Sequence, residues 1–209
     1  LSKVDFRLYL ITDRRLCRNQ DLLPVVKRAC AAGVRAVQLR EKDWPARQTF
    51  EVAAQIKALC NTSNTKLFIN DRADIAAALG ADGVHLTSQS LSVHIVRTVF
   101  PNNMLVGTST HSAEEAIHAE SDGADFIVFG PVFPTPSKWA YGPPQGLDRL
   151  KETASKVRIP VFAIGGIDPA RAELCKKYGA WGVAVISSIL SADNIHEKVR
   201  EFEKTLESL

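Results

Sequence analysis

Gly165-Gly166 and Ser187-Ser188 each close a short apolar run, and about one helix's length of chain separates the two pairs. A glycine lacks a Cβ, so its backbone N–H can approach an anion closely, and a serine adds a hydroxyl. Set at neighbouring strand ends, with Ile186 leading into the serines, such groups suit a phosphate. A second set is cationic. Arg40, Lys42 and Lys138 arrive from separate segments, and together they would grip a phosphate or diphosphate. Asn70, Ser109, Thr135 and Ser137 fall at comparable positions and offer neutral polar groups. Asp71 follows Asn70 directly. One or two carboxylates beside phosphate oxygens suffice for Mg2+, while the same carboxylate could simply cap a helix. Each residue alone has an ordinary reading: a glycine pair makes a tight turn, and Arg or Lys on a loop is a solvated charge. Their meaning depends on the elements that carry them.

Those elements alternate. Apolar, β-rich runs cover residues 6–12, 36–40, 66–70, 83–86, 105–108, 125–129, 160–164 and 182–186. Amphipathic, helix-length stretches follow at 22–32, 46–60, 74–79, 92–99, 113–121, 146–154, 169–178 and 194–207. Every strand is too apolar to leave a face in water. An α/β fold results, read as a single-domain (β/α)8 TIM barrel over residues 1–209, with an open doubly wound sheet as the alternative. A weak repeat agrees: Gly33, Gly80, Gly123 and Gly179 each stand just past a helix and before an apolar strand, where a helix C′ glycine belongs. In such a barrel the chemistry sits at the C-terminal strand ends, with phosphate after strands seven and eight. The candidates above fall there. The longest irregular segment, residues 131–144, carries Lys138, Trp139 and Gly142 and is expected to act as a mobile lid.

Composition narrows the function classes. The chain has 209 residues, 45% of them hydrophobic and 23% charged, which is globular rather than disordered. A net charge of +3 from scattered Lys and Arg gives nucleic-acid binding no support. No apolar run reaches the ~20 residues a bilayer span needs, and no secretory signal is evident, so neither membrane nor export is expected. Cys17, Cys30, Cys60 and Cys175 form no CxxC pair and have no His at ligand spacing, as in a reducing, cytoplasmic setting.

The motifs LYLITD (residues 8–13), VQLREKD (37–43), FINDR (68–72), ADGVHL (81–86), GTSTH (107–111), GADFIVFGPVFPTPSK (123–138), IPVFAIGGI (159–167) and GAWGVAVISSI (179–189) together resemble the thiamin phosphate synthase and TenI family. The resemblance implies a TIM barrel of thiamin biosynthesis that binds a thiazole phosphate. In the synthase branch, hydroxymethylpyrimidine diphosphate is condensed with that phosphate. It implies that Arg40, Lys42, Asn70, Ser109 and Lys138 contact the diphosphate. Asp71 would ligate Mg2+, Thr135 and Ser137 would lie by the thiazole phosphate, and Gly165, Gly166, Ile186 and Ser187 would bind that phosphate.

Two departures bear on the branch. The synthases typically carry a second metal carboxylate after strand four, where this chain has Ser90. The TenI tautomerase carries a His after strand six, where this chain has Gly130-Pro131. His85 and His111 are read as satisfied structural histidines. The loss of a carboxylate inclines the reading to a TenI-like thiazole tautomerase, needing no certain cofactor. Thiamin phosphate synthase, using Mg2+, is the alternative, and a non-catalytic thiazole phosphate-binding regulator is a third. Small phosphorylated thiazole and pyrimidine ligands are the expected partners, and a homodimer is left open.

Overall fold

The computed structural model describes residues 4–17, 21–100, 103–135 and 143–207. Eight parallel strands close into a barrel in chain order: β1 (Leu8–Ile11), β2 (Ala36–Leu39), β3 (Lys66–Asn70), β4 (Gly83–Leu86), β5 (Leu105–Thr110), β6 (Phe126–Phe129), β7 (Val161–Ile164) and β8 (Gly182–Val185). β8 returns to β1, with Val183 opposite Leu8 and Val185 opposite Leu10, and this pairing rules out the open sheet. The helices around it are α1 (Leu22–Ala31), α2 (Ala46–Thr62), α3 (Ala73–Leu79), α4 (Val93–Val99), α5 (Ala113–Ser121), α6 (Gly146–Lys156), α7 (Pro169–Lys177), α8 (Ser187–Leu190) and α9 (Ile195–Glu207). Two elements were not expected from sequence: the four-residue α8 directly after β8, and a 3-10 turn, Arg14–Leu16, after β1.

Local sequence explains the boundaries. Ser92, Ser112 and Asp168 accept the N–H of Ile95, Glu115 and Arg171 and so cap α4, α5 and α7, with Pro169 opening α7. Gly33, Gly80, Gly123 and Gly179 all have positive φ, as helix-ending glycines should. The two Gly-Ala-Asp repeats do a further job. Asp82 accepts the N–H of Leu67 at 2.8 Å and pairs with Lys57, and Asp125 accepts the N–H of Val106 and pairs with Arg97. Each aspartate thereby fixes a backbone N–H at the base of the preceding strand, which would otherwise lack a partner.

Period-two alternation sorts the strand residues into two cores. Leu8, Leu10, Val37, Leu67, Ile69, Val84, Val106 and Ile127 point outward and pack under the helices. Inside the barrel Phe6, Tyr9, Phe68, Phe126 and Phe162 form an aromatic floor, with ring centroids 5.2 to 6.1 Å apart and mostly edge-to-face. The rings fit because the neighbouring strands are bare: a Cβ on Gly83 would lie 2.4 Å from the Phe68 ring, and one on Gly107 2.3 Å from the Phe126 ring. Phe6 belongs to this floor although it precedes β1. The apolar run at residues 6–12 therefore overstates the strand, because burial of Phe6 needs no ladder pairing.

No helix among the described residues is long and apolar enough to cross a membrane. The four cysteines are buried and free.

Candidate functional site

Above the aromatic floor the barrel interior turns polar. Gln38 and Asn70 continue the inward faces of β2 and β3, His85 that of β4, and Ser109 that of β5. His85 Nε2 lies 3.0 Å from Ser109 Oγ. Among the described residues its Nδ1 has no partner, nor do the Tyr9 hydroxyl, Asn70 Oδ1, or either end of the Gln38 amide, and all are buried. An unpaired buried polar group costs roughly 1–3 kcal/mol, so a layer of them marks a place kept for a ligand. Burial holds the Tyr9 phenol well above its usual pKa. Burial, and then the Arg40 charge, brings His85 down to about 3, so the imidazole is neutral. The expectation of a satisfied His85 is thus half right: one ring nitrogen is bonded and the other is open. His111 is tied down, with Nδ1 2.6 Å from the Gly130 carbonyl oxygen in front of the cis Gly130-Pro131 bond.

The cations expected at the mouth begin with Arg40, whose charge acts on His85. Arg40 follows β2, and its N–H donates to Thr12 Oγ1 at 2.9 Å; Lys42 is exposed two residues on. Thr12 is itself fully buried, and Asp13 caps the 3-10 turn through Arg15, so neither presents a polar group to the barrel mouth.

Asp71 stands at the end of β3 with φ +65°, a left-handed conformation that Asp tolerates better than most residues. Its N–H donates to the His85 carbonyl, which fixes the bend. The alternative of a helix cap fails: α3 has no side-chain cap bond, and the Asp71 carboxylate is exposed with no hydrogen bond from a described residue. Ser90 is occupied differently. Its Oγ accepts the Thr87 N–H at 2.9 Å and lies 3.2 Å from Thr87 Oγ1, closing the turn after β4. No cluster of three or more His, Cys, Asp or Glu that could hold a metal exists among the described residues. One free carboxylate still fits Mg2+, which completes its shell with phosphate oxygens and water.

The loops after β6, β7 and β8 form the other side of the mouth. Val132 N–H donates to the Ile164 carbonyl at 2.7 Å and Phe133 N–H to that of Gly165 at 3.2 Å. Gly165 and Gly166 have φ +103° and +61°. A Cβ on them would lie 2.6 Å from Pro131 Cβ and 2.6 Å from the Pro134 carbonyl oxygen. The glycine pair is thus required by the β6 loop as well as suited to an anion. Ser188 Oγ donates to the Ile167 carbonyl and holds the β8 loop, with Ile186 and exposed Ser187, beside that of β7. Thr135 is half-buried in the same wall. Ser137, Lys138, Trp139 and Gly142 lie outside the described residues. The base of the expected lid is anchored, since Gln145 and Gly146 donate back to the Pro131 and Val132 carbonyls.

Sequence reading missed Gln38, Tyr9 and the open nitrogen of His85. The one available signal for Gln38 was an amide between Val37 and Leu39 in an otherwise apolar run.

The profile of the thiamine monophosphate synthase family matches residues 8–189. The putative thiamine-phosphate synthase of Geobacter sulfurreducens is 49% identical over 200 residues, covering 96% of this chain and 94% of that protein. The thiamine-phosphate synthase of Desulfitobacterium hafniense (strain DSM 10664 / DCB-2) is 42% identical over 191 residues, covering 91% and 92%. Among solved structures, thiamine phosphate pyrophosphorylase from Pyrococcus furiosus gives a TM-score of 0.88 at 35% identity, covering 97% of this chain and 96% of that one. A 3-hexulose-6-phosphate synthase at 19% identity and TM-score 0.70, covering 95% and 99%, shares the fold alone. The synthase names favour the alternative over the TenI-like reading that Ser90 had suggested.

Proposed function

The chain belongs to the thiamine monophosphate synthase family, and on that premise we propose that it joins hydroxymethylpyrimidine diphosphate to thiazole phosphate, releasing diphosphate. The observation that carries this reading is the layer of buried polar atoms left without a partner among the described residues: the Tyr9 hydroxyl, the Gln38 amide, Asn70 Oδ1 and His85 Nδ1. Gln38 offers a donor and an acceptor side by side, the complement of an aminopyrimidine edge. The aromatic floor limits how deep a flat ring can sink. A ring seated there would direct its diphosphate up toward Arg40, Asn70 and Ser109, with Lys42 and Lys138 the further diphosphate contacts expected from sequence.

The reaction breaks the C–O bond between the pyrimidine methylene and the diphosphate, whose oxygen keeps the electron pair, and the thiazole nitrogen supplies the pair for the new C–N bond. Cations fixed before the reaction stabilise the charge that grows on the leaving group. Asp71 would hold Mg2+, which supplies further charge neutralisation at the diphosphate when bound. Gly165, Gly166, Ile186 and Ser187, with Thr135 and Ser137 as the further contacts expected from sequence, would hold the thiazole phosphate by backbone N–H and hydroxyl groups, leaving its ring to face the pyrimidine. The neutral His85 bonds Ser109 and keeps a positive charge away from the developing carbocation.

The test is turnover by the purified chain with both substrates, with Mg2+ and with chelator, beside a thiazole tautomerase assay. Thiamine phosphate formed only when both substrates are present is the expected result. Tautomerisation without condensation would restore the TenI-like reading, and tight thiazole phosphate binding without either activity would make the protein a regulator.

A further inference from the structure

We infer that Glu41 is a positioning residue that holds Arg40 at the barrel mouth, a role that rests on the synthase reading above. Glu41 lies between the two cations in sequence, yet its side chain is only 2% exposed. Its Oε1 accepts the Thr12 hydroxyl at 2.8 Å and the Arg14 N–H at 3.0 Å, and its Oε2 accepts from the Arg14 guanidinium at 3.2 Å. Thr12 Oγ1, oriented by that donation, in turn accepts the Arg40 N–H. The Arg14 guanidinium also takes both oxygens of Asp43, at 2.7 and 2.8 Å, and lies 5.3 Å from the Trp44 ring centre. One carboxylate thus ties the end of β1 to Arg40, through Thr12, and to Asp43, through Arg14, in the β2 loop.

The consequence is geometric. On β2 Ala36 packs in the barrel interior while Val37 and Leu39 pack outward, so the alternation carried just past the strand turns Arg40 inward and Glu41 into the wall, before the chain turns at Lys42. Arg40 does face the interior, since its charge reaches His85. Without the anchor the backbone that carries Arg40 would lose its bond to Thr12, and substrate binding would bear part of the entropy of ordering it. The carboxylate also matters by type. An amide in its place sets an N–H group against the Arg14 donors, leaving buried hydrogens unpaired.

Glu41→Gln, Thr12→Val and Thr12→Ser in the full chain separate this role from a merely structural one. Titration calorimetry with inorganic diphosphate and Mg2+, and KM for each substrate, are the readouts. Glu41→Gln and Thr12→Val should weaken diphosphate binding and raise the KM for the pyrimidine diphosphate roughly ten- to hundredfold, with the KM for thiazole phosphate within about twofold. Thr12→Ser, which keeps the hydroxyl, should stay near wild type. The inference is overturned if folded Glu41→Gln binds diphosphate like wild type, if both KM values move together, or if wild type binds no diphosphate. Wild type that binds diphosphate without making thiamine phosphate defeats the synthase reading alone, because the calorimetric comparison still decides the role of Glu41.

Discussion

His85 Nε2 and Ser109 Oγ, 3.0 Å apart on adjacent strands, stitch the polar layer together directly above the aromatic floor. His85 is flanked by the Tyr9 and Phe126 rings and faces the Arg40 charge, so both its surroundings and its one charged neighbour oppose protonation. Its role in the site is that of a neutral donor and acceptor.

A pH dependence follows from that neutrality. The imidazole titrates at about 3 in the folded chain and near ~6.5 when unfolded. Between those values the unfolded chain carries a proton that the folded chain lacks, so stability is complete above ~6.5 and declines as pH falls toward 3. Urea unfolding across that window should show the decline, and His85→Gln should flatten it. An NMR titration that finds the His85 imidazole ionising near ~6.5 in the folded protein would contradict the assignment.

The barrel, and the neighbouring β7 and β8 loops proposed to hold phosphate, were legible because both are written in local pattern: apolar strands, helix-ending glycines, and Gly165-Gly166 and Ser187-Ser188 at consecutive strand ends. The polar layer was not, because closure of eight strands assembles it from residues far apart in the chain. Gln38 reads as one tolerated amide until Asn70, His85 and Tyr9 are seen beside it. Phe6 misled for a related reason. Composition places an aromatic in a strand, whereas the floor needs a ring from outside the ladder.

Gln38 should show a trade between stability and binding. Gln38→Met replaces two unpaired buried polar atoms with an apolar side chain of similar length, and should stabilise the free protein by about 1–2 kcal/mol. The same change should weaken the pyrimidine diphosphate tenfold or more by removing the donor–acceptor edge, a loss of about 1.4 kcal/mol or above. Chemical denaturation and substrate titration check the two halves. A variant both less stable and equally tight in binding would show that Gln38 is structural.

Gly166 is constrained from two directions. Gly166→Ala places a Cβ 2.6 Å from the Pro134 carbonyl oxygen at φ +61°, so the β6 loop must shift. A cost of about 1–3 kcal/mol in stability is expected from the strain, together with weaker thiazole phosphate binding as the adjoining loops move. Calorimetry with thiazole phosphate, beside thermal unfolding, measures both. Unchanged affinity in a folded Gly166→Ala protein would remove this loop from the phosphate site.

Ser90 offers the sharpest change in metal dependence. Its hydroxyl accepts the Thr87 N–H in the turn after β4, a bond that an aspartate can also make with one oxygen while leaving the second free. Asp71 then gains a companion for Mg2+ without loss of the turn. In Ser90→Asp the Mg2+ concentration for half-maximal turnover should fall about tenfold, equivalent to ~1.4 kcal/mol of added ligation, with little change in thermal stability. Asp71→Asn should act in the opposite sense, raising the Mg2+ requirement by at least as much, and Ser90→Asp should partly restore it. If Mg2+ titrations of turnover superimpose for wild type and Ser90→Asp, the β4 turn is too far from the ion to ligate it. Asp71 would then be the single protein carboxylate on the metal.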